Sequence, residues 1–341
     1  MSSHFPRIAV VGASGAVGME AISILESRDH PINQLKLFGS DRSSGSSISY
    51  LDSAITIQHL DDIAKNEYDF VLLCATSVVA QTVRNQMKKS DAVLIDNSSA
   101  FRMDPDVSLV IPEVNVHLLN SDTRLVANPN CSTIMLLTAL NPLRVEFGIR
   151  NVIVTTYQAV SGAGTAGISE LLNQSRAYLN DEHESAHVFP CSSAFNVFEH
   201  ESAINPETGF NGEESKLINE TRRIWNDPGF SILPTCVRVP VERAHSQSVI
   251  IELDQPTKMQ EIRDALSQTG IVLLPEGYLL TPREAARQDD VFVGRIRIDP
   301  QSGGKRVLIW ICADQIRKGA ALNAIQILDA IQLERDSVSS Q

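Results

Sequence analysis

One cysteine stands where it could act as a nucleophile. Cys131 follows Asn128, Pro129 and Asn130, and an apolar helical pattern runs from residue 132 to 145. Pro129 stops whatever precedes it and Asn130 is a good N-cap, so Cys131 is expected in the first turn of a helix. The helix dipole there lowers a thiol pKa and stabilises a thiolate, and the free N–H groups of that turn can hold an oxyanion. The alternative is a buried cysteine near a helix start, since free thiols are usually core. The residue types alone leave both readings open.

A second segment carries binding chemistry. Gly12, Ala13, Ser14, Gly15, Ala16, Val17 and Gly18 follow an apolar run at 8–11 and open a helical pattern at 17–25. Glycines in a strand–turn–helix allow a tight turn and close approach of backbone N–H groups to a pyrophosphate, which the helix N-terminus favours. The spacing is G-x-x-G-x-x-G, a variant of the usual dinucleotide fingerprint. At the end of the next strand, Asp41 alone would suit a free ribose hydroxyl, whereas Arg42 with Ser40 and Ser43 would suit a 2′-phosphate. Three phosphate-compatible side chains favour NADP.

The elements that must position these groups follow from the apolar pattern. Continuous apolar runs at 8–11, 35–38, 70–74 and 92–95, separated by amphipathic stretches, predict a parallel sheet covered on both faces. After Cys131 the character changes. A strand at 152–157 and more strictly alternating segments at 248–253 and 293–298 suit a largely antiparallel sheet with one wet face. Residues 181–212 are polar and predicted to be loop-rich. A helix is expected over 319–333, and the tail 336–341 is expected to be disordered. The fold class is therefore α/β. A Rossmann-type doubly wound domain is expected over 1–130, completed by the C-terminal helix 319–341. An α+β catalytic and dimerisation domain with a mostly antiparallel sheet is expected over 131–318.

Composition limits the functions. The 341 residues carry 29 Lys plus Arg against 41 Asp plus Glu, a formal charge of −12. That field repels nucleic acids and anionic membranes, so an anionic substrate must be met by local Arg or Lys. The five cysteines are scattered, odd in number and show no C-x-x-C pair. Their spacing argues against a disulfide framework or zinc site, and no metal is expected. No signal-peptide pattern or bilayer-length apolar stretch is visible, so a cytoplasmic location is expected.

At this point the motifs combine. The segment 128–133 around Cys131 resembles the active-site motif of the aspartate-semialdehyde dehydrogenase family. The resemblance extends to 98–103 with 111–115, to the glutamine segment 157–164, to 213–216, to 238–241 and to 317–323, in the family's order. It implies that Cys131 attacks an aspartyl phosphate, giving a thioester that NADPH reduces to the semialdehyde. The setting it implies is lysine, methionine and threonine synthesis, in a homodimer or tetramer. His245 is implied as general acid/base, a role its near-neutral pKa suits, and Gln158 as the residue that orients the acyl-enzyme. Arg102 and Lys216, beside Asn130, are implied to bind phosphate. Arg238 and Glu213 are implied to hold the substrate carboxylate and amine. Gly12 through Val17, Ser40, Arg42, Ser43, Ser161, Gly162 and Gln315 are implied on the cofactor side.

Taken singly, such charges are more often surface ion pairs, and Glu213 with Lys216 could be an i,i+3 helix pair. Three positions depart from the family pattern. Ala244 stands where many members have Gly, tolerable if the backbone is not left-handed. Gln315 stands where Asn is common, and Asp41 lies in the cofactor loop. The rival readings are N-acetyl-γ-glutamyl-phosphate reductase, whose motif has Pro-Gly-Cys, glyceraldehyde-3-phosphate dehydrogenase, whose Ser-Cys-Thr-Thr motif is absent, and a non-catalytic paralogue, which would have no use for the cysteine.

Overall fold

The computed structural model describes residues 5–28 and 32–339. The chain divides into two units, Met1–Asn130 with Ala320–Gln341, and Cys131–Gly319.

In the first unit the strands are β1 (Arg7–Val11), β2 (Gln34–Gly39), β3 (Ser47–Tyr50), β4 (Ser53–His59), β5 (Phe70–Leu73), β6 (Val93–Asp96), β7 (Ser108–Leu109) and β8 (Leu125–Ala127). Helices α1 (Ala16–Ser27), α2 (Ser77–Gln86) and α3 (Pro112–Asn115) lie between them in sequence, and a C-terminal helix spans Leu322–Ser339. The sheet order is β3-β4-β2-β1-β5-β6-β8-β7. All its pairs are parallel except β3–β4. β5 and β6 are buried at every residue because helices cover both faces. One core joins Ile8, Val10, Leu37 and Leu72 of the sheet to Ile22 and Leu25 of α1 and to Ile325 and Leu328 of the C-terminal helix.

The structure differs from the sequence expectations in three places here. The sequence reading has no counterpart of the β3–β4 hairpin, because serine-rich β3 is half exposed and lacks an apolar run. The tail expected to be disordered from residue 336 is helical as far as Ser339, while residues 340 and 341 lie outside the described part. No Gly or Pro interrupts it, and Gln332 Nε2 donates to Asp336 Oδ1 at 3.0 Å across its last turns. The helix expected from 319 begins as a wide turn at Arg317–Ala321, in which Gly319 N–H reaches Asp314 O at 3.0 Å, and becomes α-helical at Leu322.

The second unit contains α4 (Cys131–Phe147), β9 (Ile149–Gln158), α5 (Gly164–Leu179), β10 (Phe198–Glu199), α6 (Gly212–Ile224), β11 (Ser231–Arg238) and β12 (His245–Leu253). It continues through α7 (Met259–Leu266), β13 (Ile271–Leu273), α8 (Pro282–Ala285), β14 (Val291–Ile298) and β15 (Arg306–Ala313). The order is β10-β11-β9-β12-β15-β14-β13. β9–β11 and β13–β14 are parallel and the other pairs antiparallel. Alternation gives the sheet one fully buried face, with Val154, Val249 and Ile309, while Ile153 and Leu233 on the other are 40% and 50% exposed. The register sets Gln158 opposite Arg238, and His245 opposite Ala313.

The glycine turn after β1 is sterically enforced. Gly12 has φ +78°, and a Cβ there would lie 2.4 Å from the Cys74 carbonyl oxygen; a Cβ on Gly18 would lie 2.3 Å from Gly12 O. Replacing Gly12 with Ala combines a left-handed backbone with a clash against main chain, and should cost roughly 1–3 kcal/mol or more. A lowered urea midpoint checks this, and an unchanged midpoint contradicts the geometry.

Candidate active site

The second unit gathers polar groups at one end of its sheet. Parallel β9 and β11 finish together at Gln158 and Arg238, and antiparallel β12 starts there with His245. The three side chains are 2%, 2% and 0% exposed, so each must be answered by a partner or a ligand.

Cys131 is the first residue of α4 and is partly exposed. Its helix start is anchored to the sheet end: Gln158 Nε2 donates to Ser132 Oγ at 3.3 Å, and Gln247 Nε2 donates to Ser132 O at 2.9 Å. A Cβ on Gly319 would lie 2.8 Å from the Cys131 Cβ, so the absent side chain leaves the cysteine its room. Burial pushes the Cys74 and Cys312 thiols up to about 12, and Cys236 higher still, which makes them poor nucleophiles at neutral pH.

His245 accepts the Ala159 N–H at Nδ1 over 3.0 Å. Nδ1 is therefore the unprotonated nitrogen and Nε2 carries the hydrogen. Nε2 is buried with no partner among the described residues, as is Gln158 Oε1. These two orphaned atoms, one donor and one acceptor, are what a substrate could satisfy. Burial first, and the Arg238 charge second, push the imidazole down to about 3.

The backbone beside it corrects an expectation. Ala244 has φ +71°, so the position is left-handed and strained for a residue with a Cβ. It is held there by Gln315, whose Oε1 accepts the Ala244 N–H at 3.0 Å and whose Nε2 donates to Ser161 Oγ. Gln315 and Ser161, assigned by resemblance to the cofactor side, are buried and bonded to each other. Gly162 keeps open the space beside the histidine: a Cβ there would come 3.0 Å from Arg238 Nη1 and 3.7 Å from His245 Cε1.

Arg238 is committed more heavily than its residue type suggests. Nε and Nη2 fork onto Glu201 at 3.3 and 2.6 Å, Nη1 donates to Ala159 O at 3.1 Å, and Nη2 also reaches His200 Nε2 at 3.0 Å. Burial raises the Glu201 carboxyl, but the Arg238 guanidinium more than offsets this and holds it below the usual range. Sequence reasoning missed His200 and Glu201, which lie in the stretch expected to be loop. No local pattern marks them; they are found through Arg238. Glu213 accepts from Gln158 at 3.1 Å and from Lys216 at 3.0 Å. The Glu213–Lys216 contact is indeed an i,i+3 pair, yet Glu213 is 4% exposed and tied to the sheet end, so it is more than a surface bridge.

In the first unit, α1 begins at Ala16 with no side chain capping it, leaving first-turn N–H groups for an anion. This uncapped start and the glycine turn fit a dinucleotide pyrophosphate. In the loop after β2, Asp41 accepts from His59 Nε2 at 2.5 Å, while Arg42 is exposed and makes no hydrogen bond or ion pair among the described residues. His59 was also absent from the sequence reading. Arg102 is buried, donating from Nε to Asn128 O and from Nη2 to Asn97 O, both at 2.9 Å. Asn130 is 7% exposed and directly precedes Cys131. Among the described residues no cluster of His, Cys, Asp and Glu could hold a metal, and no helix is long and apolar enough to cross a membrane.

A buried sheet end with an anchored cysteine in one unit and a doubly wound sheet in the other define a class that family comparisons specify. The semialdehyde dehydrogenase NAD binding domain model matches residues 7–121, and the semialdehyde dehydrogenase dimerisation domain model matches 140–318. The chain is 42% identical to an aspartate-semialdehyde dehydrogenase of Prochlorococcus marinus, over 95% of each chain. It is 38% identical to that of Bacillus subtilis, over 96% of this chain and 97% of the relative. The crystal structure of aspartate semialdehyde dehydrogenase II of Vibrio cholerae, complexed with ASA, superposes with a TM-score of 0.93 at 36% identity, covering 96% and 98% of the two chains. The chain belongs to the aspartate-semialdehyde dehydrogenase family.

The buried imidazole ties stability to pH. With its pKa at about 3 when folded and 6.5 ordinarily, His245 supports the folded state fully above 6.5 and withdraws that support as pH falls towards 3. Between about pH 7 and about pH 5 the wild-type chain should lose about 2 kcal/mol through this group. Urea unfolding of wild type and His245→Gln at both pH values measures it; equal pH slopes would remove the histidine from the account.

Proposed function

We propose that the chain catalyses the reversible, NADPH-dependent reductive dephosphorylation of L-aspartyl 4-phosphate to L-aspartate 4-semialdehyde, through a thioester on Cys131. The observation that carries this reading is the convergence of Gln158, Arg238 and His245 at one sheet end, to which the Cys131 helix start is bonded.

The chemistry follows from the residues. The first turn of α4 favours the Cys131 thiolate. The sulfur attacks the acyl carbon, the C–S bond forms, the C–O bond to phosphorus breaks, and phosphate leaves. Arg102 and Lys216, with Asn130, receive the phosphate, and Glu213 pairs with the substrate ammonium. Arg238 offers the substrate carboxylate the one Nη1 hydrogen that Ala159 O does not take, since Glu201 and His200 occupy Nε and Nη2. Gln158 presents Oε1 and orients the acyl group. NADPH, when bound along the Gly12–Val17 turn, supplies the hydride that reduces the thioester. The Nε2–H of His245 gives its proton to the acyl oxygen as charge grows there, and Nε2 takes a proton back as the C–S bond breaks and the aldehyde leaves.

NADP is preferred over NAD in this reading because Asp41 is engaged by His59 while Arg42, beside Ser40 and Ser43, is free for a 2′-phosphate. Five free thiols suit a reducing compartment, the cytoplasm. The dimerisation-domain match and the half-exposed sheet face of Ile153 and Leu233 suit a homodimer, or a tetramer built from it. The pathway role that fits is lysine, methionine and threonine synthesis.

The deciding assay is phosphate-dependent NADP reduction with L-aspartate semialdehyde, run beside N-acetylglutamate semialdehyde. Turnover is expected with the first alone and only with phosphate present. Cys131→Ala should abolish it while leaving NADP binding within about twofold, and His245→Gln should slow it by roughly 10²–10⁴-fold. Turnover with neither substrate in a folded, NADP-binding protein overturns the reading. Arg42→Ala should raise KM for NADP about tenfold, a loss of about 1.4 kcal/mol, and leave that for NAD unchanged; equal effects on both cofactors would remove Arg42 from the phosphate site.

A further inference from the structure

Arg238 lies on the opposite face of β11 from Leu233 and shares the inward side with Ile232 and Cys236. A guanidinium carries five N–H donors, and the chain itself uses all but one of them. Nε and one Nη2 hydrogen go to Glu201, the second Nη2 hydrogen goes to His200 Nε2, and one Nη1 hydrogen goes to Ala159 O. A flat face of the group is covered too, with Cζ 5.2 Å from the centre of the Phe189 ring. A single Nη1 hydrogen is left to give.

That hydrogen has a defined outlook. A Cβ on Gly162 would come 3.0 Å from Arg238 Nη1 and 3.8 Å from His245 Nε2, so both atoms border the space that Gly162 leaves open. The remaining donor of the guanidinium and the orphaned donor of the imidazole therefore face neighbouring parts of one substrate. Arginine usually orients a carboxylate through a two-bond fork. One N–H supplies no such orientation by itself, so the grip on a carboxylate here depends on how firmly the guanidinium is aimed. The aim is set by the stretch expected to be loop. Glu170 of α5 accepts the N–H groups of His187, Val188 and Phe189 at 2.6, 2.6 and 3.2 Å, which seats the Phe189 ring against the guanidinium face. Burial pushes the His200 imidazole down and keeps it neutral, so its Nε2 accepts from Arg238 while Nδ1 lies 3.1 Å from Ser202 Oγ. Glu201 supplies the in-plane fork, and among the described residues its carboxylate bonds no other side chain.

We propose that Glu201 is a positioning residue: its bidentate pairing fixes the plane of Arg238 so that the one free Nη1 hydrogen meets the substrate carboxylate beside His245, which makes Glu201 a determinant of selectivity for aldehydes that carry a carboxylate. This rests on the reading of Arg238 as the carboxylate anchor. Glu201 touches neither the reacting carbon nor the cofactor in this role, and acts only through the arginine.

The test compares L-aspartate semialdehyde with 3-aminopropanal, the same amino aldehyde without its carboxylate, as substrates of the full chain with saturating NADP and phosphate. Glu201→Gln keeps the size of the side chain but exchanges one acceptor oxygen for an amide that cannot accept. It should lower kcat/KM for L-aspartate semialdehyde at least about tenfold, mostly through KM, and change that for 3-aminopropanal by less than about twofold. Where 3-aminopropanal turns over too slowly to time, its inhibition constant against L-aspartate semialdehyde supplies the same ratio. Glu201→Asp keeps the charge but draws the carboxylate back by one methylene; it should lose about threefold or more of the selectivity, and it decides the matter if the Gln variant does not fold. Parallel losses on both aldehydes, which a merely structural residue gives, or a parent-like ratio in either folded variant would each overturn the proposal. A parent chain inactive on L-aspartate semialdehyde instead overturns the proposed reaction, and this inference with it.

Discussion

The parallel pairing of β9 with β11 brings two strands to a stop at the same level, and the candidate site depends on that shared ending. In an otherwise mostly antiparallel sheet, neighbours would normally finish at opposite ends. Here Gln158 and Arg238 face each other across the last rung, and antiparallel β12 begins beside them with His245. Parallel pairing requires a long crossover. That crossover is the stretch from α5 through α6, which also carries His200, Glu201 and Glu213 back to the strand ends. The connection that the topology demands thus delivers the charged partners that buried Arg238 and Gln158 need.

Electrostatics at this end balance through proximity. Arg238 keeps Glu201 ionised against the cost of burial and at the same time opposes a charge on His245. The imidazole is left neutral, with its hydrogen placed on Nε2 by a single backbone N–H from Ala159. The strained Ala244 that leads into it is secured by Gln315. A sparsely populated backbone conformation persists where surrounding bonds over-determine it, and such positions gather near chemistry.

How much of this was legible in the sequence varies with the range of the physics. The strand at 8–11, the glycine turn and the helix after Asn130 rest on local rules of period, capping and steric access, and they appear where those rules put them. The class of the second sheet could be read from the alternation at 248–253 and 293–298. The bonds that tie Arg238 to Glu201 or Asp41 to His59 could not be read, because they join positions whose separation in sequence carries no pattern. The left-handed Ala244 was hidden for another reason: its conformation is imposed by Gln315, far along the chain, against the preference of the residue itself. The tail is helical to Ser339 rather than disordered because no Gly or Pro interrupts the segment that starts at Leu322.

The C-terminal helix has a consequence for the order in which the molecule can be built. Asn323 bonds Val110 O and Asn128 Oδ1 at 3.0 and 2.7 Å, and Ile325, Leu328 and Ile331 fill the core beneath β1 and β5. The second unit ends at Gly319, so its whole sequence leaves the ribosome while the first unit, begun earlier, still lacks the helix that closes its core. During synthesis the apolar face meant for that helix stays open through nearly two hundred further residues, a window in which a chaperone or a premature collapse would find it. The domain translated first is the domain completed last.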